Sequence, residues 1–396
     1  MTHSTRHFSG YIMSLDKIIL LLVFTLLVSS CKNDGKYPDR YTLIREDTIL
    51  VLPIGHDSKN LSFCIEYYRV NGSEYLAVAN HKQYSVEIYD LNRRVLENVI
   101  HPGIEGTNAL TPYSFLVKKP DTIVGFQLNA VLGIITQGGE VVKRITFDRA
   151  QKGRINNFAA KVGGGKPLLK DDIVYLVQEY RMHENNGILT PNALHQTNIN
   201  TCVNLISGEV TTSSLTYPEE LTGRDVSGME TCRTIGYNGV FVYHFRLLPC
   251  LYLTYDHVTF KKVPLETNYN LHLEEEHWRY LYDMTGAMRY SLEKDEVQNI
   301  YFDEFRECYY VFVRKRSEDY DRNIDFLSKF MFPHCFIIIL DKNLKHMGEA
   351  FLPDDTYSCQ MVFITPDGLY ISEDHPNNPD FDEDFMRFRL FKLVKQ

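Results

Sequence analysis

The chain has 396 residues, with 42 basic against 51 acidic side chains and a formal net charge of −9. Phosphate backbones are bound by clustered Lys and Arg, and an acidic chain without such a cluster excludes nucleic acid as its partner. Aromatic residues reach 13 %, with 26 Tyr and 23 Phe; these side chains suit pleated, half-buried surfaces, so the composition favours an all-β chain.

The first element is an apolar run of eleven residues, Ile18–Val28, preceded by Lys17. A membrane-crossing helix needs about 20 residues, whereas the apolar centre of an export signal takes ~7–15. The run therefore reads as a signal peptide over residues 1–30, with Met13 as a second candidate start. It ends in Val28-Ser29-Ser30-Cys31, which resembles the bacterial lipobox. That resemblance implies lipidation of the Cys31 thiol, cleavage before it, and acylation of the new amino group. Two or more acyl chains, at about 0.8 kcal/mol per buried CH₂, hold a protein on a membrane durably. The signal carries Arg6, Lys17 and Asp16, so the mature chain stays acidic. Residues 31–40, beginning Cys31-Lys32-Asn33-Asp34-Gly35, are polar and read as a tether. Lys32 directly after the Cys fits sorting to the outer membrane.

Residues 41–396 read as a single β domain built from a repeat. "YTLIREDTILVLPI" (41–54) is an isolated strand without companions. A hairpin pattern then recurs, pairing an apolar strand with a Lys- or Arg-bearing one. It appears at 86–100 with its turn near Asp90, at 133–147 turning at Gly138-Gly139, and at 203–215 turning at Gly208. It returns at 251–265 around Asp256 and at 336–352 around Asp341, and "RFRLFKLVKQ" (387–396) ends the chain as a lone strand. Further strand-like runs precede these at 74–80, 113–128, 171–180, 239–247, 299–315 and 360–372. Four strands per ~40–50 residues is the pattern of a β-propeller blade. The count gives six blades, and seven is also compatible with the length. The strand at 41–54 is expected to complete the C-terminal blade and close the ring. Two stacked β-sandwiches would use similar strands, but no Pro-, Gly- or Ser-rich linker divides the chain.

Two stretches depart from the strand pattern. "LHLEEEHWRYLYDMTGAM" (271–288) and "SEDYDRNIDFLSKFMF" (317–332) place apolar residues at helical spacing and are expected to leave the ring as insertions. Of eight Cys, seven remain after Cys31: Cys64, Cys202, Cys232, Cys250, Cys308, Cys335 and Cys359. None forms a CxxC pair, so most read as small buried hydrophobes; an oxidising compartment would also allow a bridge or two.

Candidate chemistry is sparse. Gly163-Gly164-Gly165-Lys166-Pro167 is not a phosphate loop, because Walker A needs Ser or Thr after the Lys; it reads as a turn. His272 and His277 are five apart with Leu273 between, against the four-residue spacing and following Glu of a zincin, and read as a solvated acidic stretch. Glu373, Asp374, Asp380, Asp382, Glu383 and Asp384 offer oxygens to calcium, but Phe385 and Phe391 occupy positions where an EF-hand loop needs Gly and Glu. No catalytic residue, metal ligand or cofactor is assigned from the sequence.

The phrases "IYFDEFRECYYVFVRK" (300–315), "FIIILDKNLKHMGEAFLP" (336–353) and "FITPDGLYIS" (363–372), together with the lipobox, resemble an uncharacterised family of β-propeller-like lipoproteins from Bacteroidota. The resemblance implies the fold and an outer-membrane lipoprotein facing the periplasm or the cell surface, and it carries no activity. The expected function is a binding or scaffold module of the cell envelope, with a glycan or an envelope protein as partner. The alternative is a hydrolase or lyase with its site at the channel mouth, which would require carboxylates or His within hydrogen-bond reach there.

Overall fold

The computed structural model describes residues 40–396 apart from 56, 128–129, 148–149, 152–153, 158–164, 181–196, 222–230, 247, 274–291 and 318–331. Both stretches read as helical insertions lie for the most part outside the described residues. Asp39–Gln396 forms one compact unit.

The strands fall into antiparallel quartets, each laid out from an inner to an outer edge. The first is Ile65–Val70, Ser73–Asn80, Ser85–Asp90 and Val95–Ile100, and the second is Ser114–Lys119, Thr122–Gln127, Val131–Thr136 and Val141–Thr146. The third is Leu168–Lys170, Ile173–Tyr180, Asn200–Asn204 and Val210–Thr212. There the inner position is shared, because Arg154–Asn157 pairs with the far half of Ile173–Tyr180. The fourth is Thr231–Ile235, Phe241–Phe245, Cys250–Thr254 and Lys261–Pro264, and the fifth is Glu296–Asp303, Cys308–Arg314, Cys335–Asp341 and His346–Phe351. The sixth takes Ser358–Thr365, Gly368–Ser372 and Phe385–Lys395 from the end of the chain and Tyr41–Pro53 from its start.

Burial explains the expected contrast within each hairpin. Asn200–Asn204 is buried or half-buried at every position, whereas its hairpin partner Val210–Thr212 is exposed at every position. An outermost strand has one neighbour, and charge on it blunts edge pairing. Lys261–Pro264, likewise on an outer edge, follows the same rule with two Lys.

No quartet closes a core alone. The apolar clusters each bridge one quartet to the next. Ala77 and Ile88 meet Phe115 and Ile135; Phe126 and Leu132 meet Val174 and Val203; Ile199 and Tyr217 meet Tyr243 and Phe245. Val242 and Leu251 meet Val311 and Ile338; Phe312 and Ile339 meet Val362 and Leu369; Met361 and Phe388 meet Leu76 and Tyr89. The last contact returns to the first quartet, so the all-β fold is a propeller closed on itself.

Closure uses the strand expected for it. Tyr41–Pro53 runs antiparallel to Phe385–Lys395, from Tyr41 opposite Lys395 to Pro53 opposite Phe385, with a bulge between Arg45 and Ile49. The bulge leaves backbone carbonyls unpaired by the ladder. Arg389 Nη1 donates to two of them, Glu46 O at 3.2 Å and Asp47 O at 3.0 Å. Its Nε and Nη2 donate to Glu373 Oε1 at 2.7 Å and Oε2 at 3.1 Å. Tyr41 also pairs in parallel with Gly348, which joins the fifth and sixth quartets into one eight-stranded sheet. A side chain at 348 would collide with the Tyr41 carbonyl.

Antiparallel order sends alternate connections to opposite ends of the ring. At one end the first and second strands join by tight turns. Asn71-Gly72 (φ 49° and 87°) and Asp171-Asp172 (φ 51° and 61°) put both central residues in the left-handed region, as the two-residue type I′ hairpin requires. At the other end lie the long connections, including 54–64, 101–113, 213–230, 265–295, 315–334 and 373–384. The closing strand enters the ring at the turn end, at Tyr41.

Candidate binding site in the central channel

The inner strand of every quartet faces the ring axis, and a cavity of about 360 Å³ lies among five of them. Phe63, Tyr67, Tyr301, Phe302, Phe305 and Phe363 supply aromatic surface to it, and Glu66, Lys166, Arg233, Asn299 and Gln360 supply polar groups.

Glu66 sits on the inner strand of the first quartet. Its Oε2 accepts the Val117 N–H at 2.8 Å, which ties the first quartet to the inner strand of the second. Burial raises the Glu66 carboxyl above its ordinary pKa, against the pull of the Lys166 charge and of that N–H; desolvation disfavours the charged form and wins here. Lys166 lies just before the inner strand of the third quartet and is half-buried. Its ammonium makes no hydrogen bond or ion pair with any described residue.

Arg233, on the inner strand of the fourth quartet, is 4 % exposed. Its Nε donates to Lys166 O at 2.9 Å, Nη2 to Tyr175 O at 2.7 Å and Nη1 to Asn200 Oδ1 at 2.7 Å. All three acceptors are neutral and belong to the third quartet, so Arg233 pins two quartets together and brings a charge that no described carboxylate balances. Burial pulls its pKa down, which is the cost of holding a charge in low dielectric. Behind it, Asn200 Nδ2 donates to Tyr243 Oη at 2.9 Å, and Tyr243 Oη lies 2.8 Å from His257 Nε2. Burial first, then the Arg233 charge, lowers His257 to about 4. His257 is therefore neutral at pH 7, and the Tyr243–His257 hydrogen bond joins two uncharged groups. Tyr175 stacks on the imidazole at 4.7 Å. This network is buried and supports Arg233 from behind.

The lining holds a second carboxylate, Glu304, but it is exposed in the turn after the inner strand of the fifth quartet and no hydrogen bond links it to Glu66. Among the described lining residues, the cavity thus offers two cations, one carboxyl biased toward its neutral form, one exposed carboxylate, amides and aromatic faces. These are recognition groups.

A second polar cluster sits at the long-connection end of the sixth quartet. Glu373, 2 % exposed, is held by Arg389, with Arg387 at 3.6 Å and Arg45 at 3.8 Å. Beside it, Asp374 Oδ2 accepts from Ser372 Oγ and from the Arg387 N–H, both at 3.0 Å. Burial pushes the Asp374 carboxyl up to about 7.

The DUF4221 family model, a domain of unknown function, matches residues 40–350. The chain belongs to the DUF4221 family. The crystal structure of a DUF4221 member from Bacteroides vulgatus is similar over 91 % of this chain and all of that one, at 22 % identity and a TM-score of 0.81. A protein from Bacteroides fragilis described as exported is similar over 90 % of this chain and 96 % of its own, at 10 % identity and a TM-score of 0.50. At these identities the likeness concerns the fold. No curated protein matches the chain.

In this DUF4221 protein, Cys31 lies outside the described residues, as do Gly163, Gly164 and His277. The segment read as a plain turn has its described part, Gly165–Pro167, beside the channel, where Lys166 lines the cavity. Of the six acids read as a loop, Glu373 and Asp374 are buried and Asp380, Asp382, Glu383 and Asp384 are exposed. Among the described residues no group of three His, Cys, Asp or Glu is placed to hold a metal. All seven described Cys carry free thiols; six are buried and Cys202 is half-buried. Glu66, Lys166 and Arg233 carry no shared linear motif. The one local signal is a charge inside otherwise apolar and aromatic strand text, as in "FCIEYY" (63–68).

Proposed function

We propose that this DUF4221 protein is a lipid-anchored binding or scaffold module of the cell envelope, and that its partner, a glycan or an envelope protein, docks on the end of the ring that carries the long connections. The observation that carries this reading is the asymmetry of the ring: tight turns at one end, every long connection at the other, and entry of the chain at the turn end. An anchor on Cys31 would reach Tyr41 through about ten residues, at most ~35 Å of chain, and would hold the turn end toward the lipid. The long connections would then point away from it. Loops positioned by a rigid scaffold are where binding residues concentrate. The lipobox and the described export of the B. fragilis protein support the envelope assignment. The channel lining, whose two described carboxyls, Glu66 and Glu304, share no hydrogen bond, favours binding over the hydrolase or lyase alternative.

The anchor is tested by labelled palmitate in growing cells: incorporation is expected in the native chain and lost in Cys31→Ala, and a Cys31→Ala protein that stays in the membrane fraction would refute it. The partner is tested by crosslinking the full chain in intact cells from residues 104 and 381, both in connections of the long-connection end, and from residue 93 at the turn end. Adducts to one envelope protein or glycan from 104 and 381 are expected. Adducts from 93 alone would overturn the assignment of the docking end.

A further inference from the structure

We infer that the central channel is a binding site for a small organic anion with an aromatic or apolar body, its charge received by Lys166. The site lies inside the ring, and the inference stands whether or not the long-connection end binds an envelope partner.

The charge balance of the cavity carries the inference. Lys166 lines it with an ammonium that no described residue pairs. Arg233 brings a second cation, 4 % exposed, whose described hydrogen bonds all go to neutral oxygens. A cation taken out of water is costly unless an anion meets it. Glu66, which feels the Lys166 charge, is committed through one oxygen to Val117 and makes no hydrogen bond to the ammonium. The other lining carboxylate, Glu304, is exposed in the turn after the inner strand of the fifth quartet, so away from that turn two positive groups face the Glu66 carboxyl alone.

The remaining lining sets the rest of the ligand. Phe63, Tyr67, Tyr301, Phe302, Phe305 and Phe363 give flat apolar walls, and Asn299 and Gln360 give amides. A volume of about 360 Å³ is at the small end of ligand cavities, which run ~300–1,000 Å³. It suits a single ring with a short acidic arm and is too small for a polymer segment. Because inner strands of five quartets line the space, a bound ligand would also bridge them, and it would raise the melting temperature by linkage.

Phenylacetate is the probe, with phenylacetamide as its neutral and phenethylammonium as its cationic counterpart, each titrated calorimetrically into the full-length protein and followed by thermal melts. Phenylacetate is expected to bind and to raise the melting temperature, with the amide weaker by about tenfold, as a lost charge-assisted hydrogen bond implies. Lys166→Met should erase the difference between acid and amide, and Lys166→Arg should keep it. Equal binding of acid and amide to the native protein overturns the inference, as does tighter binding of the cation, unchanged phenylacetate binding in Lys166→Met, or no binding of any of the three. The acid–amide comparison uses the native protein alone, so it holds even if Lys166→Met does not fold. Failure here leaves the crosslinking result at the long-connection end untouched.

Discussion

At one end of the ring the chain reverses through Asn71-Gly72, Asp171-Asp172 and Pro366-Asp367; at the other it runs through connections such as 54–64, 101–113 and 265–295. A two-residue reversal fixes the register of both strands it joins, and a slip of one residue would turn every core side chain outward. The turn end therefore has little freedom to vary. A connection from one quartet's outer edge to the next quartet's inner edge sets no ladder register, so it tolerates length and composition changes at small entropic cost. Register is set at one end, the other is the end proposed for recognition, and the channel runs between them.

The largest expected effect comes from breaking the ring, which serves both ends. A chain starting at residue 54 loses Leu43, Leu50 and Leu52, all buried, and leaves Phe385–Lys395 as an open edge. Losing one buried Leu side chain costs about 2–5 kcal/mol, and three together approach the whole stability of a domain, ~5–15 kcal/mol. Circular dichroism should show no cooperative unfolding transition; a melt like that of the full chain would mean that the closing strand is dispensable. Next in size is Arg389→Met. It removes the principal partner of buried Glu373 and uncovers the carbonyls of the bulge, and breaking a buried pair costs about 3–5 kcal/mol. Arg387 and Arg45 remain near Glu373, which places the effect at the lower end of that range in urea unfolding. Adding Glu373→Gln should recover part of the loss. Glu373 borders a long connection, so this pair sharpens the comparison: stability reaches that end where the strand ladder does.

Much of this division was legible in the sequence. The hairpins at 86–100, 133–147 and 336–352 announce themselves because an apolar third strand is followed by a turn residue and by Lys or Arg, which lie in the fourth strand at Lys143 and Arg144 but in the turn at Arg93, Arg94, Lys342 and Lys345. The orphan strand at 41–54 announced the closure. The inner strands were harder: Leu168–Lys170 is three residues long and Thr231–Ile235 carries Arg233 at its centre, so neither shows apolar alternation. The site was not legible at all. Glu66, Lys166 and Arg233 come from the first, third and fourth quartets and meet only because the ring curves them onto one axis. Lys166 even lies in a Gly-Pro segment whose composition says only turn.

Smaller effects separate the two ends further. At the long-connection end, burial pushes the Asp374 carboxyl up from its ordinary 3.8 to about 7. The folded chain therefore holds a proton there that the unfolded chain releases. The stability this contributes is fully present below about pH 4 and is lost as pH rises toward 7. Urea unfolding at pH 5 and pH 8 should show a larger fall in the native protein than in Asp374→Asn; equal falls would mean that the carboxyl titrates normally.

At the turn end, Gly72→Ala isolates backbone strain. Gly72 has φ 87°, and a Cβ there would meet no atom within 4 Å, so the substitution causes no collision. What it costs is the left-handed conformation alone, about 1–2 kcal/mol for a residue with a side chain. The melting temperature should fall slightly, while phenylacetate affinity and crosslinking from residues 104 and 381 should not change. A variant that kept its melting temperature would mean that the turn rearranges freely and does not set register. One that lost phenylacetate binding with only this small loss of stability would show that the turn end controls the shape of the channel, and the separation of register from recognition would then be incomplete on the Glu66 strand, whose far end this turn closes.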